Sequence, residues 1–258
     1  MTADMTRDHR HEAILERLAG GGEVSAETLA GEFGVNIVTI RRDLAYLERQ
    51  GLLRRTHGGA ALSRYGTIAF SFQKKEQTHL AEKAAIASAA AEMVAPGMAV
   101  TLDTGLTTLE LARRLVGVPN LKVLTSSLAI ASVLYAHDNV ELVLLGGAVR
   151  RGSPDLIGAV TEENLRRFQT DLTFLGADAV TREGLFTTDA DVARVSQAML
   201  ARSRTAVLLI DSGKFRASAF VRQASWAEIG QVVTDEGVPA EARAWLGQVV
   251  RKVTYVEK

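Results

Sequence analysis

From Met98 to Asp235 the chain alternates short apolar runs with longer segments of helical period. The runs read MAVTLD, LKVLTS, VELVLLGG, LTFLGAD, TAVLLID and QVVTD. Helical patterns such as TTLELARRL, LAIASVLYA and ADVARVSQAMLARS lie between most of them, and the Ala-rich AAIASAAAEMVA precedes the first. Each run is shorter than an ordinary helix and too continuously apolar for a strand with one face in water, so it reads as a strand buried on both faces. Strands of that kind joined by helices predict an α/β domain with a mostly parallel sheet. Nothing repeats at a fixed period, which excludes a solenoid.

The N-terminal segment has a different rhythm. Residues from about Thr6 to Ala19 place Ile14, Leu15 and Leu18 in a charged background, an amphipathic helix ended by Gly20, Gly21 and Gly22. Ser25 is a cap for a second helix, AETLAGEF, which Gly34 ends, and Asn36 caps a third that runs to Gln50 before Gly51. LLRRTHGGAAL follows, with strand-like ends around a His-Gly-Gly centre, as in a small hairpin. Three helices and a basic hairpin predict a winged helix-turn-helix over residues 1–62. A polar stretch over 63–82 reads as a linker, and 83–258 as the α/β domain; 258 residues are enough for two such units.

On a wheel of about 100° per residue, Ile37, Ile40, Leu44 and Leu47 share one face of the third helix. Val38, Arg42, Tyr46 and Arg49 lie opposite, with Thr39 at the edge of the outward face and Arg41 flanking the buried one. A helix packed through its apolar stripe presents Val38, Thr39 and Arg42 from its first turns, where a recognition helix meets base edges in the major groove. Arginine can grip guanine through two hydrogen bonds, threonine can bond a base or phosphate, and an apolar tip can meet a thymine methyl. From Thr39 to Ala60 five arginines (Arg41, Arg42, Arg49, Arg54, Arg55) face only Asp43 and Glu48, although the formal net charge of the chain is zero. A phosphate backbone needs positive charge only where it is touched. The competing reading makes these arginines surface ion-pair partners of Asp43 and Glu48.

In an open α/β sheet, ligands bind beyond the carboxyl ends of the strands. Here those ends carry Asp103 and Gly105, Ser126 and Ser127, Gly146 and Gly147, Asp178, and Asp211 with Lys214. In LDTGLTTLELA a strand ends at Asp103, Thr104 and Gly105 form a turn, and Thr107 and Thr108 open a helix whose first amide groups favour an anion. The segment is neither a Walker loop nor a dinucleotide GxGxxG loop, and the chain has no GxSxG elbow. There are no cysteines, and His9, His11, His79 and His137 have no metal spacing, so no metal and no cofactor are expected. The longest apolar runs are far too short to span a bilayer, and no apolar leader segment follows the polar start; a soluble, cytoplasmic protein is expected.

The stretch VNIVTIRRDLAYLERQGLLRRTHGGA resembles the N-terminal signature of the DeoR/GlpR family of bacterial transcriptional repressors, with Asn36 where the family often has serine. The resemblance continues through TSSLAIA, LLGGAVR, FLGADAV and DSGKF, over almost the whole chain. It implies a ligand-responsive regulator, a repressor of a carbohydrate-metabolism operon. Such a repressor binds operator DNA as a homo-oligomer, dimer or tetramer, and is released by a phosphorylated sugar or related metabolite. The implied DNA-contacting residues are Asn36, Val38, Thr39, Arg41, Arg42, Arg49, Arg54, Arg55 and His57. The implied effector-contacting residues are Lys83, Asp103, Thr104, Gly105, Leu106, Thr107, Thr108, Ser126, Gly146, Gly147, Asp178 and Lys214. Leu106 stands where the family commonly has a hydroxyl residue, and Ser126 where it commonly has asparagine, which leaves a less polar or differently shaped ligand open. The C-terminal domain also resembles ribose-5-phosphate isomerase at Lys83, Thr107, Thr108, Asp178 and Lys214. That leaves a sugar-phosphate isomerase with an accessory DNA-binding head as the alternative. The isomerase's lysine-glycine-rich segment is replaced by REGLFTTDADVAR, and no lysine occurs between Lys122 and Lys214, so no enzymatic activity is expected.

Overall fold

The computed structural model describes residues 6–63, 78–150 and 153–257. The chain divides into two compact units, Met1–Thr78 and His79–Lys258. The first contains α1 (Arg7–Gly21), β1 (Glu23–Ser25), α2 (Ala26–Phe33), α3 (Ile37–Arg49), β2 (Leu53–Thr56) and β3 (Gly59–Leu62). Each helix starts on a side-chain cap: Thr6 accepts from the His9 N–H, Ser25 from the Thr28 N–H at 3.0 Å, and Asn36 from the Val38 N–H at 2.8 Å. Gly34, at φ 65°, ends α2 in the left-handed conformation that an L side chain resists. Ile14, Leu18, Leu29, Ile40, Leu44 and Leu47 close a core of their own. The expected hairpin is part of a three-stranded antiparallel sheet in the order β1-β3-β2. Its third strand, EVS, is too short to give a sequence signal.

Gly59 is required where β3 crosses β1: a Cβ there would lie 2.2 Å from the Val24 carbonyl oxygen. Gly59→Ala is therefore expected to lower the stability of this unit by about 1–3 kcal/mol through forced separation of the strands. Denaturant unfolding followed by circular dichroism measures it, and an unchanged midpoint would refute the close approach.

The expected linker falls mainly on residues 64–77, which lie outside the described residues. Its last residues are not linker: α4 (Leu80–Ala91) takes in Leu80, Ala81 and Glu82, because LAEKAAIASAAA is Ala-rich throughout and the helix extends back to the polar turn at His79. The second unit continues with β4 (Ala99–Leu102), α5 (Leu106–Leu115), β5 (Leu121–Thr125), α6 (Leu128–Leu134), β6 (Val140–Leu144), β7 (Ala148–Val149), β8 (Leu156–Ile157) and α7 (Ala159–Leu165). Then come β9 (Thr170–Leu175), β10 (Ala179–Thr181), β11 (Gly184–Thr187), α8 (Ala190–Leu200), β12 (Ser203–Leu209), β13 (Val221–Ala224), β14 (Gln231–Asp235), α9 (Ala240–Val249) and β15 (Lys252–Val256).

Seven strands form one sheet in the order β15-β14-β12-β9-β4-β5-β6, and every adjacent pair is parallel. Its centre is apolar and fully buried, with Val100, Leu102, Val123, Phe174, Val207, Leu208 and Val232 all at 0 % exposure. After β4 the sheet grows through β5 and β6 on one side; from β9 it grows through β12, β14 and β15 on the other. The order therefore reverses between β4 and β9, and the carboxyl ends of those two strands are where open α/β sheets generally take their ligands. A separate antiparallel sheet, β10-β11-β13, and the antiparallel pair β7/β8 complete the unit. Among the described residues no helix is long and apolar enough to cross a membrane.

Candidate functional site

Two sets of side chains have the chemistry of sites, one in each unit. On α3, Val38 is 50 % exposed, Arg42 is exposed and Thr39 is half-buried. Neither acid between Thr39 and Ala60 forms an ion pair with the arginines of that stretch. Asp43 is buried and faces α1, where it accepts from Arg10 Nε at 2.6 Å and lies 3.0 Å from His11 Nε2. Glu48 accepts from the backbone N–H of Arg55 at 3.2 Å. Arg41 lies 3.8 Å from Glu27 with both side chains more than half exposed, a pair worth little in water. Among the described residues, the side chains of Arg42, Arg49, Arg54, Arg55 and His57 have no hydrogen-bond or ion-pair partner, and all are exposed. Asn36 uses its Oδ1 as the cap of α3. Tyr46, expected on the outward face, is half-buried: the His11 ring stacks on it at 5.0 Å and the Arg7 guanidinium lies 4.4 Å from its centroid.

The second set stands at the strand ends of the larger unit, most of it near the reversal between β4 and β9. The ladder between β4 and β9 ends with Asp103 N–H donating to the Phe174 carbonyl at 2.9 Å, which brings Asp103 beside the Gly176–Asp178 segment. Gly105 precedes α5 without any side-chain cap, so the first amide groups of Leu106, Thr107 and Thr108 have no capping acceptor from it. Thr108 is fully buried, and its hydroxyl points to the carbonyls of Asp103 (2.7 Å) and Gly105 (2.9 Å); it braces the turn rather than facing outward. The carboxylate of Asp103 accepts from the Thr104 N–H at 2.7 Å and from the Ser196 hydroxyl at 3.5 Å. Burial raises its pKa from the ordinary 3.8 to about 7, and repulsion from Asp155 adds to the rise, against the pull of the hydrogen bonds from Thr104, Gly176 and Ser196.

Asp178 behaves in the opposite way. Burial raises its pKa, but the Thr188 N–H, the Thr187 and Thr188 hydroxyls and the charge of Lys214 together outweigh it, and the carboxyl is held below the usual range. The Thr187 and Thr188 bonds measure 2.9 and 3.1 Å. Ser126, next along from the Leu102–Thr125 register pair, is fully buried and its Oγ has no partner. Lys83 is buried in the first turn of α4, and Lys214 is half-buried in a 3-10 turn, Ser212–Phe215. Gly146 and Gly147 lie at the end of β6, two strands from β4, under α7. Thr161 donates to the Gly146 carbonyl at 2.7 Å, and a Cβ on Gly147 would meet Thr161 Oγ1 at 2.1 Å.

Sequence reasoning missed the buried polar side chains behind Asp103. Gln223, 2 % exposed on β13, donates to the Gly176 carbonyl at 3.1 Å and to Ser196 Oγ at 3.0 Å, while its Oε1 has no partner. Asp155 is buried and held by Arg150 Nε at 3.1 Å. Ser196 had a signal, its position on the inward stripe of α8; Gln223 had none, because it sits on an antiparallel strand that the parallel rhythm does not reveal. Among the described residues no group of three or more His, Cys, Asp or Glu side chains is placed to hold a metal ion.

The model of the DeoR-like helix-turn-helix domain matches residues 10–64, and that of the DeoR C terminal sensor domain matches residues 78–236. The chain belongs to the DeoR family. As a DeoR-family transcriptional regulator it carries its helix-turn-helix match from α1 through the wing and its sensor match from α4 through β14, with α9 and β15 beyond it. The HTH-type transcriptional regulator GlpR of Haloferax volcanii is 36 % identical over 91 % of this chain and 92 % of its own. The glycerol-3-phosphate regulon repressor of Escherichia coli K12 is 32 % identical over 91 % and 93 %. A solved D-ribose-5-phosphate isomerase in complex with phospho-erythronic acid is similar over 52 % of each chain, at 18 % identity and a TM-score of 0.39. The DeoR-family regulator thus joins a DNA-binding head to a ligand-sensing domain.

Proposed function

We propose that this DeoR-family regulator represses a carbohydrate-metabolism operon in the cytoplasm, binding operator DNA through residues 1–62 and releasing it when residues 83–258 take up a phosphorylated sugar or related metabolite. The observation that carries this reading is the joint occurrence, in one chain, of exposed arginines without acidic partners on α3 and the wing and an uncapped α5 N-terminus at the strand-order reversal. The name of one relative, a glycerol-3-phosphate regulon repressor, supports a link between this kind of regulator and phosphorylated metabolites. Asn36, Val38, Thr39, Arg41, Arg42, Arg49, Arg54, Arg55 and His57 form the DNA face. Asp103, Thr104, Gly105, Leu106, Thr107, Ser126, Asp178 and Lys214 form the effector crevice, with Leu106 giving it a less polar wall. Thr108, Gly146 and Gly147 shape it from behind, and Lys83 adds a buried cation to the same unit. The protein acts as a homo-oligomer whose heads read repeated half-sites, and the effector works to the extent that it prefers the arrangement unable to bind them. Asp178, with its depressed pKa and three hydrogen-bond donors, is a poor general base, which supports sensing over isomerisation.

The test is binding of the purified protein to a labelled DNA fragment from upstream of its own gene, at fixed salt, with and without a panel of sugar phosphates. Specific binding released by one compound is the expected result. No specific binding, together with turnover of a pentose phosphate, would replace this reading with the isomerase.

A further inference from the structure

A buried polar cluster joins α1 to α3 alongside the apolar core. Arg10, His11 and Asp43 are 9, 8 and 5 % exposed. Arg10 grips Asp43 with Nε at 2.6 Å and Nη2 at 3.3 Å, and His11 meets the second carboxylate oxygen at 3.0 Å. His11 is itself backed by the ring of Tyr46, one turn further along α3, over which Arg7 of α1 also lies. These contacts of α1 converge on two α3 residues, Asp43 and Tyr46.

Apolar contacts between Ile14, Leu15 and Leu18 on α1 and Ile40, Leu44 and Leu47 on α3 bury area without direction. They tolerate small rotations of one helix against another. A forked guanidinium on a buried carboxylate does not, because both hydrogen bonds must keep length and angle at once. Asp43 directly follows Arg42, so the two side chains leave α3 about 100° apart, and fixing one fixes the other. With side chains extending about 5–6 Å from the helix axis, a 20° rotation moves the tip of Arg42 by about 2 Å, enough to lose a hydrogen bond to a base edge.

We infer that the Arg10–Asp43–His11 cluster is a positioning device for sequence readout: it holds α3 at the rotation from which Val38, Thr39 and Arg42 reach bases. It rests on the DNA-binding reading above and extends it to residues that touch no DNA. Breaking the cluster then costs discrimination between sequences, while the phosphate contacts, made by arginines elsewhere, keep non-specific binding.

The test compares Arg10→Gln/Asp43→Asn, which removes both charges and the forked contact, with Leu44→Ala, which weakens the same core without touching the cluster. Binding to the labelled fragment from upstream of the protein's own gene and to a scrambled fragment of equal composition is measured over a salt series, at temperatures where circular dichroism shows each variant folded. The double variant should lose about tenfold or more in the ratio of specific to non-specific affinity, with an unchanged salt slope, whereas Leu44→Ala keeps the ratio. If the double variant does not fold, Arg10→Lys, which keeps the charge but not the fork, carries the comparison with a smaller loss in the same ratio. An unchanged ratio in the cluster variant that folds, or an equal loss in Leu44→Ala, overturns the inference. Absence of discrimination in the wild-type protein would instead overturn the DNA-binding reading itself, and this inference with it.

Discussion

Arg42→Ala is expected to abolish specific operator binding while leaving the fold intact. A bidentate arginine–guanine contact is worth about 1–3 kcal/mol of discrimination, and the proposed assembly reading two half-sites would lose it twice, a fall of about thirtyfold or more in specific affinity. Stability should change by no more than about 0.5 kcal/mol, because Arg42 is exposed and no described side chain pairs with it. Arg54→Ala on the wing serves as the contrast: loss of a phosphate contact weakens binding to all sequences alike and lowers the salt slope by about one. Fluorescence anisotropy with specific and scrambled fragments separates the two patterns. Unchanged operator affinity in Arg42→Ala would remove the central assignment on α3.

The second large effect is on the pH dependence of stability, through Asp103. Its carboxyl has a pKa of about 7 in the folded protein against an ordinary 3.8, chiefly because burial disfavours the charged form. Between those values the folded state binds more protons than the unfolded state, so stability falls as pH rises from about 4 through 7 and is flat above. At roughly 1.4 kcal/mol per pH unit, the accumulated penalty at pH 8 is on the order of 4 kcal/mol at most. Asp103→Asn mimics the protonated acid and can still accept from the Thr104 N–H. The variant should therefore be more stable than the wild type at pH 8, with little difference at pH 4. Denaturant titrations of both proteins across that range provide the measurement. A wild-type curve without a downward slope between pH 4 and 7, or a variant less stable at pH 8, would show that Asp103 is ionised at little cost.

Periodicity was enough to recover both architectures. The Ile37, Ile40, Leu44 and Leu47 stripe and the Asn36 cap defined α3 almost to the residue, and the six apolar runs became the parallel strands β4, β5, β6, β9, β12 and β14. Local sequence contains that information, since a stripe every three to four residues or a continuously apolar run has few alternative burials. The pieces it did not reveal are short or solvent-bordered: β1, the β7/β8 pair, the β10-β11-β13 sheet, and α9 with β15 at the end of the chain. Such strands have no period to read, because each is specified by the partner it pairs with rather than by its own pattern.

The candidate site divided along the same line. The turn at Asp103–Gly105 and the uncapped start of α5 follow from a strand end, a glycine and a helix pattern in succession, all visible in LDTGLTTLELA. Whether an acid beside an arginine neutralises it was not visible. Asp43 adjoins Arg42 in sequence, yet its carboxylate belongs to Arg10 and His11, 33 and 32 residues away. Likewise Thr108 turned inward onto backbone carbonyls, and Gln223 and Ser196 came to stand behind Asp103 from distant strands and helices. The sequence by itself determined the periodic elements, the caps at Ser25 and Asn36, the local excess of arginine and the polar strand ends, because these depend on residues within a few positions of one another. Only the tertiary structure decided which charges are spent and which are left to act, because hydrogen bonds and desolvation depend on distances in space that local spacing does not encode.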